Sequence, residues 1–538
     1  LSQEGNVVTS KFERTTTRLS IDSKVNNWFK VGATMFYSTS NQNFPSQSGS
    51  AFQSAIQWIY TIPSIYPLYR RDNRGDFVMD GNGQKIFDYG ATAGQIVNAN
   101  RPQLLNENAY GSLYNYKIRN KRDNYTANAY LEFTLAKDLI FKTNLAYDKY
   151  LYDYFNYASN EVGYAASAGG RITQERDITT STNLINSLTY KKSFGDHNFS
   201  ADLIQEAYKF QIDALSAQGE GFLPGVQVLD GSTTPVSVGG YTAEDRISSY
   251  LGRLAYNYKE KYFLEGTYRR DGSSRFDSAV RWGNFYSVGA SWLISQENFL
   301  KDNKVISDLK VRGSYGELGN NQTIDNVTTL DGGFRSNYFP YKQLFGTGYN
   351  ELDNTGVVLG SAVDPLLTWE KTASTDIGID FGLFKNRLTG TIDYYNKKSI
   401  DLIYTRPLPG STGNTGVTTN VGSLRNYGWE FSLNSKNIKT RDFDWNSGLN
   451  LSIDRNEITA LTQESYISGT KRWEVGKSLF DFYLQDWAGV DPETGYGMWY
   501  KDVTDTDGKP TGERATTKVY SEATRYYVDK SSLPDFIG

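Results

Sequence analysis

The sequence predicts an all-β chain, an antiparallel β-barrel that crosses a membrane with its strands. The clearest evidence is the stretch Tyr262–Ile294, which has the pattern of two strands joined by a charged, glycine-bearing connection. Side chains alternate between the two faces of a strand, so each strand here has one apolar face. Tyr and Trp lie at both ends of this apolar stripe, as they do where a barrel wall meets the two membrane–water interfaces. The stripe comprises Tyr262, Leu264, Gly266 and Tyr268, followed by Tyr286, Val288, Ala290, Trp292 and Ile294.

Composition supports this prediction. The 538 residues include 40 Tyr, 28 Phe and 10 Trp, yet the mean hydropathy is only −0.55. So many aromatic residues in so polar a chain suit a wall with one apolar face. No run reaches the roughly 18 apolar residues that a membrane helix needs, so a crossing would have to use strands. The net charge of −4, with both signs dispersed, does not favour nucleic-acid binding, and zero cysteines exclude disulfides and thiolate metal sites.

Short and long connections alternate along the chain, as in outer-membrane barrels with tight periplasmic turns and long extracellular loops. Predicted strands, each near the ~9–11 residues that a tilted membrane strand needs, meet across short turns in six hairpins: Thr15–Asp22 with Phe29–Tyr37, Asn124–Leu135 with Leu139–Tyr147, Leu184–Lys191 with Asn198–Glu206, Ser248–Tyr258 with Tyr262–Arg269, Thr375–Leu383 with Leu388–Asn396, and Gly428–Lys436 with Phe443–Asp454. The predicted long connections are Ser38–Asp123, Tyr150–Thr180, Ala207–Arg246, Asn320–Thr372 and Asp401–Tyr427. One connection, Ser295–Asp308, should be periplasmic in this order but is long for a turn.

Catalytic chemistry has little support. His197 is the only histidine and falls in the turn GDHNF, without a Ser or Cys partner at a recognisable spacing. A serine–histidine site or a histidine zinc site would have to be built on this one residue. We therefore expect a solvated turn residue and no enzyme activity. Carboxylates are too numerous for the sequence to select one catalytic pair.

Two acidic loops that contain glycine, Asp76–Gly83 and Asp502–Gly508, resemble calcium sites. The second does not fit the EF-hand spacing, because Val503 would occupy the first ligand position. We expect both to be turns and expect no cofactor, although calcium between extracellular loops stays open as an alternative.

Aromatic clusters in the long connections are candidates for ligand binding. They could stack on sugar rings or contact peptide side chains, or instead pack loop against loop. The residues of these clusters that we predict to bind substrate are Trp58, Tyr60, Tyr66, Tyr69, Tyr338, Phe339 and Tyr341.

The faces opposite the apolar stripe supply a second group of candidates. If the apolar face meets lipid, alternation turns small, hydroxyl and charged side chains toward the lumen of the barrel. The predicted lumen-facing residues are Glu265, Thr267, Arg269, Ser287, Ser291, Lys310, Arg312 and Ser314.

Several motifs, in a fixed order, resemble one known family. They are RRDGSSRF at Arg269–Phe276, LKVRGSYGELGN at Leu309–Asn320, the long segment Asp364–Ile403, the segment Arg406–Asn434, and GVDPETG at Gly489–Gly495. On these residues the chain resembles the SusC/RagA family of TonB-linked outer-membrane nutrient transporters, which are typical of Bacteroidetes. The resemblance extends over nearly the whole chain.

The resemblance implies a 22-stranded barrel in the outer membrane of a Gram-negative bacterium, with its lumen closed by a plug. It also implies import of oligosaccharides or peptides with three kinds of partner: a SusD-like lipoprotein, TonB–ExbB–ExbD acting through the plug, and outer-membrane lipid. No plug, TonB box, signal peptide or closing strand is recognisable, so we expect residues 1–538 to be a barrel domain truncated at both ends. The alternatives are a passive porin, a surface adhesive or binding protein, and a barrel enzyme.

Overall fold

The structure is a computed structural model of the chain. It describes residues 1–45, 58, 60–90, 95, 97–98, 101–102, 106–301, 303–328, 334–352, 354–414 and 416–528. For residues 324–328, 334–336 and 468 it describes the backbone and not the side chains.

Strands dominate the described residues, and a short α-helix, α1, comprises Gly111–Asn115. The first strands along the chain are β1 (Ser2–Glu4), β2 (Lys11–Lys24), β3 (Phe29–Phe44), β4 (Lys117–Ala136), β5 (Leu139–Ala158), β6 (Arg171–Phe194), β7 (His197–Glu220), β8 (Thr234–Tyr258), β9 (Tyr262–Ser273), β10 (Trp282–Leu293), β11 (Ile306–Asn320), β12 (Ile324–Thr328), β13 (Phe334–Ser336) and β14 (Phe345–Thr347). The remaining strands are β15 (Val357–Leu359), β16 (Glu370–Leu383), β17 (Leu388–Ile400), β18 (Ile403–Pro407), β19 (Gly416–Asn420), β20 (Ser423–Lys439), β21 (Asp444–Ala460), β22 (Ser465–Ser468), β23 (Lys471–Glu474), β24 (Phe482–Gln485), β25 (Trp487–Val490), β26 (Gly497–Thr504), β27 (Pro510–Thr517) and β28 (Arg525–Val528).

Among the described residues, a 15-stranded sheet has its strands in chain order, namely β1 to β11 followed by β16, β17, β20 and β21. The strands left out of this order form small sheets within the long connections. These are the pairs β12–β13, β14–β15 and β18–β19, the four-stranded sheet β22–β23–β24–β28 and the three-stranded sheet β25–β26–β27. α1 is too short to cross a membrane, and no other helix in the described part of the chain is long and apolar enough to do so.

The chain divides into two compact units, the first made of Leu1–Leu188 and Gln205–Ser248, the second of Thr189–Ile204 and Ser249–Gly538. In the first unit, strands β2 to β5 pair antiparallel in register. One face of these strands carries exposed apolar residues at matched positions, such as Leu19 opposite Met35. The opposite face is polar: Lys30 binds Glu132 at 2.7 Å, and the Ser20 and Thr34 hydroxyls lie 2.8 Å apart.

In the second unit, two neighbouring rows of side chains show the same division most clearly. Residues that lie directly opposite one another on adjacent strands share a face of the sheet. One row is apolar and crosses six strands through Trp292, Val311, Ile379, Ile392, Phe431 and Leu451. The next row, one residue away on each strand, is polar and crosses the same strands through Ser291, Arg312, Gly378, Asp393, Glu430 and Ser452. The period-two alternation predicted from the sequence therefore forms two continuous surfaces with opposite chemistry.

The strands are longer than predicted. β6 and β7 each have 24 residues, and β8 has 25, where strands of about 9–11 residues were expected. The predicted long connections Tyr150–Thr180 and Ala207–Arg246 consequently shrink to residues 159–170 and 221–233. The apolar pattern alone does not mark where a strand ends, since a ladder pairs backbone groups whatever the side chain.

The buried apolar clusters of the described residues lie where the long connections begin. In the first unit, Tyr157, Ile172 and Phe222 form one cluster at the ends of β5, β6 and β7. In the second unit, Phe276, Phe285, Leu367 and Trp369 form another, which joins the β9–β10 connection and the start of β10 to the residues before β16. The connections are therefore built around small cores of their own.

We predict that the apolar face of the sheet contacts lipid. Val288, half exposed at 50%, lies on the apolar face of β10 between Tyr286 and Trp292. Val288→Arg should cost about 2–4 kcal/mol of folding free energy in a bilayer, because it places a charge in hydrocarbon. The measurement is reversible urea unfolding in lipid vesicles.

Ser314→Arg is the matched control, since Ser314 is exposed on the polar face of the adjacent strand β11. It should change the free energy of unfolding by less than about 0.5 kcal/mol. Equal losses in the two variants would show that the apolar face does not meet lipid.

Candidate functional site

The polar face of the second unit carries two clusters of paired charges. In the first, the Arg253 guanidinium of β8 donates to both carboxylate oxygens of Glu265 on β9, with Nε–Oε1 2.9 Å and Nη2–Oε2 2.8 Å. Its remaining Nη1 donates to Asp202 Oδ2 of β7 at 3.1 Å. One fork-shaped group thus binds acids on the strands at either side, which a lysine could not do with the same geometry.

In the second cluster, Arg312 of β11 lies between two carboxylates. Its Nε is 3.3 Å from Asp380 Oδ1 on β16, and its Nη2 donates to Asp393 on β17. Gly378 lies between Arg312 and Asp393 in the strand register. A Cβ at residue 378 would be 2.6 Å from the guanidinium carbon, so glycine provides the space that this ion pair occupies.

An open groove of about 610 Å³ lies along this face, and both arginines line it. Its other polar lining includes Lys191, Ser200, Ser291, Lys310 and Asp376. Hydroxyls and charges of both signs thus face one space. Such a surface hydrogen-bonds polar ligands, and it holds no nucleophile paired with a histidine base.

The eight predicted lumen-facing residues do share one face. Register pairs Thr267 with Ser287, and their hydroxyl oxygens are 2.6 Å apart. Arg269 binds Asp271 through Nε at 2.7 and 2.9 Å and donates to Ser249 Oγ at 2.9 Å. Whether this face lines a lumen stays a prediction. The eight are Glu265, Thr267, Arg269, Ser287, Ser291, Lys310, Arg312 and Ser314.

Sequence reasoning missed the partners of these residues. Asp202 and Arg253 alternate with apolar neighbours in their own strands, so the pattern that identified Glu265 could have identified them. Asp380 and Asp393 carry the same signal on β16 and β17. What the pattern cannot supply is which acid meets which arginine, because that depends on the register between strands.

The predicted aromatic binding residues have different environments. Trp58 is 2% exposed, which does not suit stacking on a ligand at the surface, whereas Tyr60 is 84% exposed. Tyr66 lies beneath Arg101, whose guanidinium carbon is 4.6 Å from the ring centroid. Tyr69 stacks on Phe87 with centroids 5.2 Å apart. In the clusters Trp58–Tyr60 and Tyr66–Tyr69, most of the rings are therefore in contact with other parts of the protein.

The cluster at Tyr338–Tyr341 also packs against protein side chains, from its own connection and from that between β9 and β10. The Arg275 guanidinium lies over the Tyr338 ring at 4.7 Å, and Lys342 lies 5.3 Å from Phe339 and 5.6 Å from Tyr341. Substrate binding by these residues stays a prediction.

The RRDGSSRF motif forms a clamp between connections. Arg275 is 3% exposed, and its Nη1 donates to Thr323 Oγ1 at 3.3 Å. Asn321 Nδ2 donates to Ser273 Oγ at 2.9 Å, and Trp369 Nε1 donates to the Arg281 carbonyl at 2.7 Å. The motif and Arg281, which follows it, thus hold the chain at both ends of the long connection between β11 and β16.

His197 is the first residue of β7 and not a turn residue as predicted, since the turn consists of residues 195–196. Its Nδ1 lies 2.7 Å from the Tyr256 hydroxyl, and its ring centroid is 4.8 Å from that of Tyr258. It therefore belongs to an aromatic cluster rather than to open solvent.

The acidic loops contain ordinary turns. Asp80 Oδ1 accepts hydrogen bonds from the amides of Asn82 and Gln84, and Asp505 Oδ1 accepts them from Asp507 and Lys509. In the part of the chain that the structure describes, no three acidic or histidine side chains are grouped to hold a metal ion.

The comparison with known proteins now identifies the family. The model of the TonB-dependent receptor-like β-barrel family matches residues 64–531. The chain belongs to this family. The predicted fold class and the predicted resemblance to SusC/RagA proteins are confirmed, and the family places this β-barrel chain in the outer membrane.

Relatives within the TonB-dependent receptor family agree with this assignment. The chain is 31% identical over 514 residues to TonB-dependent receptor P3 of Formosa agariphila, covering 91% of this chain and 48% of that protein. It is 35% identical over 373 residues to TonB-dependent receptor SusC of Bacteroides thetaiotaomicron, covering 66% and 34%. The chain therefore spans about half the length of the first of these relatives and about a third of the second.

Solved structures agree at the level of the fold. The RagAB peptide transporter superposes with a TM-score of 0.77, at 24% identity, over 96% of this chain and 55% of that one.

The crowding at Gly378 gives a prediction for the polar face. Gly378→Ala should cost about 1–3 kcal/mol of folding free energy, because the new Cβ would displace the Arg312–Asp393 ion pair. The free energy is measured by reversible urea unfolding in lipid vesicles.

Gly289→Ala is the matched control on the same face. Its Cβ would meet Ser314 Cβ at 3.7 Å, an ordinary contact, so we expect little change in stability. Similar costs for both glycines would contradict the proposed role of residue 378.

The clamp gives a second prediction. Arg275→Ala should lower the opening free energy of residues 321–328 and 334–345 by about 2–3 kcal/mol, because it removes a buried guanidinium and its hydrogen bonds. Hydrogen exchange of peptides from these segments measures the loss of protection.

Arg270→Ala is the control, since Arg270 is an exposed residue of β9 whose guanidinium lies 5.0 Å over the Trp282 ring. If Arg275→Ala left exchange in both segments unchanged, the clamp would not hold them.

Proposed function

We propose that the protein imports a polar nutrient ligand across the outer membrane, an oligosaccharide in the first place and otherwise a peptide. It would act with a SusD-like lipoprotein and with TonB–ExbB–ExbD, in keeping with its membership of the TonB-dependent receptor-like family. The observation that carries the proposal is the continuous polar face behind an apolar one. A wall of this kind meets lipid on one side and offers hydrogen bonds on the other.

The chemistry of the polar face favours ligands without a large charge of one sign. Arg253 and Arg312 are each matched by two carboxylates, so the face holds charges as pairs and not as a one-signed field. A one-signed field would concentrate ions of the opposite charge. Paired charges and hydroxyls instead supply donors and acceptors, which suits the hydroxyls of a sugar and the amides of a peptide alike.

Exposed aromatic rings in the long connections support capture of such a ligand. Besides Tyr60, the exposed rings include Tyr496 and Tyr520, in the connection that follows β21. Tyr520 packs against Trp499, with ring centroids 5.2 Å apart. An aromatic face stacks on the apolar face of a pyranose and equally on an apolar peptide side chain.

The lipoprotein partner and the energy source follow from the relatives. Receptor SusC and the RagAB peptide transporter are the proteins from which a SusD-like partner is inferred. TonB coupling is inferred from the name of the family. The family is one of receptors and not of enzymes, which does not favour the barrel-enzyme alternative.

Uptake by cells tests the proposal. Cells that express the full-length protein together with a SusD-like lipoprotein encoded beside it are given fluorescently labelled oligosaccharides. Uptake is measured with and without collapse of the proton-motive force. We expect uptake to cease on collapse and in a TonB deletion strain. Competition by unlabelled peptide mixtures identifies peptide as the ligand class.

Uptake that survives both treatments would favour the passive porin. Surface binding without uptake would favour the adhesive protein. Either result would overturn the proposed energy-coupled import.

A further inference from the structure

A buried carboxylate lies in the long connection between β3 and β4. Glu107 is 1% exposed, and two hydroxyls donate to it. Ser112 Oγ lies 2.7 Å from Oε2, and Tyr116 OH lies 2.5 Å from Oε1. A carboxylate so placed is costly to ionise, since it lies away from water without an ion-pair partner on either oxygen among the contacts described.

The same hydrogen-bond chain reaches a second connection. Tyr116 OH accepts a hydrogen bond from the backbone amide of Tyr164 at 3.2 Å, and the two rings are 5.6 Å apart. Tyr164 belongs to residues 159–170, between β5 and β6. Gly163, at φ +86°, lies so close that a Cβ there would overlap the Tyr116 hydroxyl. Glu107, Tyr116 and Tyr164 therefore join two long connections of the first unit through one hydroxyl.

The charged and titratable groups around Glu107 come from each element packed against it. From its own connection, Arg101 donates through Nη2 to the Glu107 carbonyl, and Arg101 also faces Asp88. Tyr89 approaches from the segment before Arg101, and its hydroxyl accepts a hydrogen bond from Asn115 Nδ2 at 2.7 Å.

From the second connection come Tyr164, which faces Arg171, and Glu161, which adds negative charge near Tyr89. Burial raises the pKa of Glu107 to about 7, against the opposing effects of hydrogen bonds from Tyr116, Ser112 and the Tyr164 backbone and of the charge of Arg101. Burial also raises the pKa of Tyr89 and Tyr116, so these phenols stay protonated.

We propose that Glu107 is a proton-controlled latch, which ties the β3–β4 connection to the β5–β6 connection when protonated and releases it when ionised. A protonated Glu107 fits the dry site and keeps its bond from Tyr116. An ionised Glu107 gains free energy by reaching water, which requires the connection to open.

The direction of the pH effect follows from linkage. Between about pH 4.5 and about pH 7 the closed latch retains a proton that the open one releases. Rising pH therefore favours opening across this window, and the effect levels off above it. The latch does not depend on the proposed transport.

Hydrogen exchange of the full-length protein tests the latch. Protection factors, corrected for intrinsic exchange, are measured for peptides that cover residues 106–116 and 159–170 at pH 5 and pH 8. We expect them to fall at least about tenfold at pH 8, since each unit of pKa displacement changes the equilibrium tenfold. Glu107→Gln, a neutral substitute for the protonated acid, should show high protection at both pH values.

Glu161→Gln removes an exposed carboxylate of the second connection and should keep the wild-type dependence. If Glu107→Gln does not fold, Tyr116→Phe decides. It removes the hydroxyl that joins the two connections, so protection of residues 159–170 should be low at pH 5 as well as at pH 8.

A wild-type protein whose protection is the same at both pH values would overturn the latch. So would a Glu107→Gln variant that keeps the full pH dependence, or a Tyr116→Phe variant that keeps the wild-type protection of residues 159–170 at pH 5.

Discussion

The structure depends on the pairing of every strand with its neighbours along the sheet. In hydrocarbon an unpaired amide or carbonyl costs several kcal/mol, so a strand can cross the membrane only within a continuous ladder. Once the ladder is in register, the period-two alternation divides all side chains between two surfaces. The apolar row through Trp292 and Ile379 and the polar row through Arg312 and Asp393 are the two results of this one constraint.

The polar surface then acquires its chemistry from contacts between strands. Arg253 joins three strands and Arg312 another three, so each guanidinium ties adjacent strands together at the level of the side chains. Pairing the charges in this way leaves hydrogen-bonding capacity without a strong field of one sign. The same wall can therefore hold together in lipid and present a face that polar ligands can follow, which is the basis of the proposed import.

The long connections follow different physics. They are not forced into the ladder, so they fold around small cores and buried polar hubs. Glu107 in the first unit and Arg275 in the second illustrate this, since both are charged residue types that are nearly inaccessible to solvent. Arg275 bonds directly to a neighbouring connection. Glu107 bonds to Tyr116, which in turn bonds to a neighbouring connection. Such buried groups make the connections ordered structures with their own equilibria, while the wall provides the fixed base.

The sequence by itself determined the fold class, the two-faced strands around Tyr262–Ile294, the family and the common face of the set from Glu265 to Ser314. These depend on alternation and on motif order, which are local and survive without coordinates. Tertiary structure alone decided the lengths of β6 to β8, the burial of Trp58, the hydrogen bond of His197 and the acid partners of Arg253 and Arg312. The physical reason is that register and burial arise from contacts between residues far apart in the chain, and no local pattern records them.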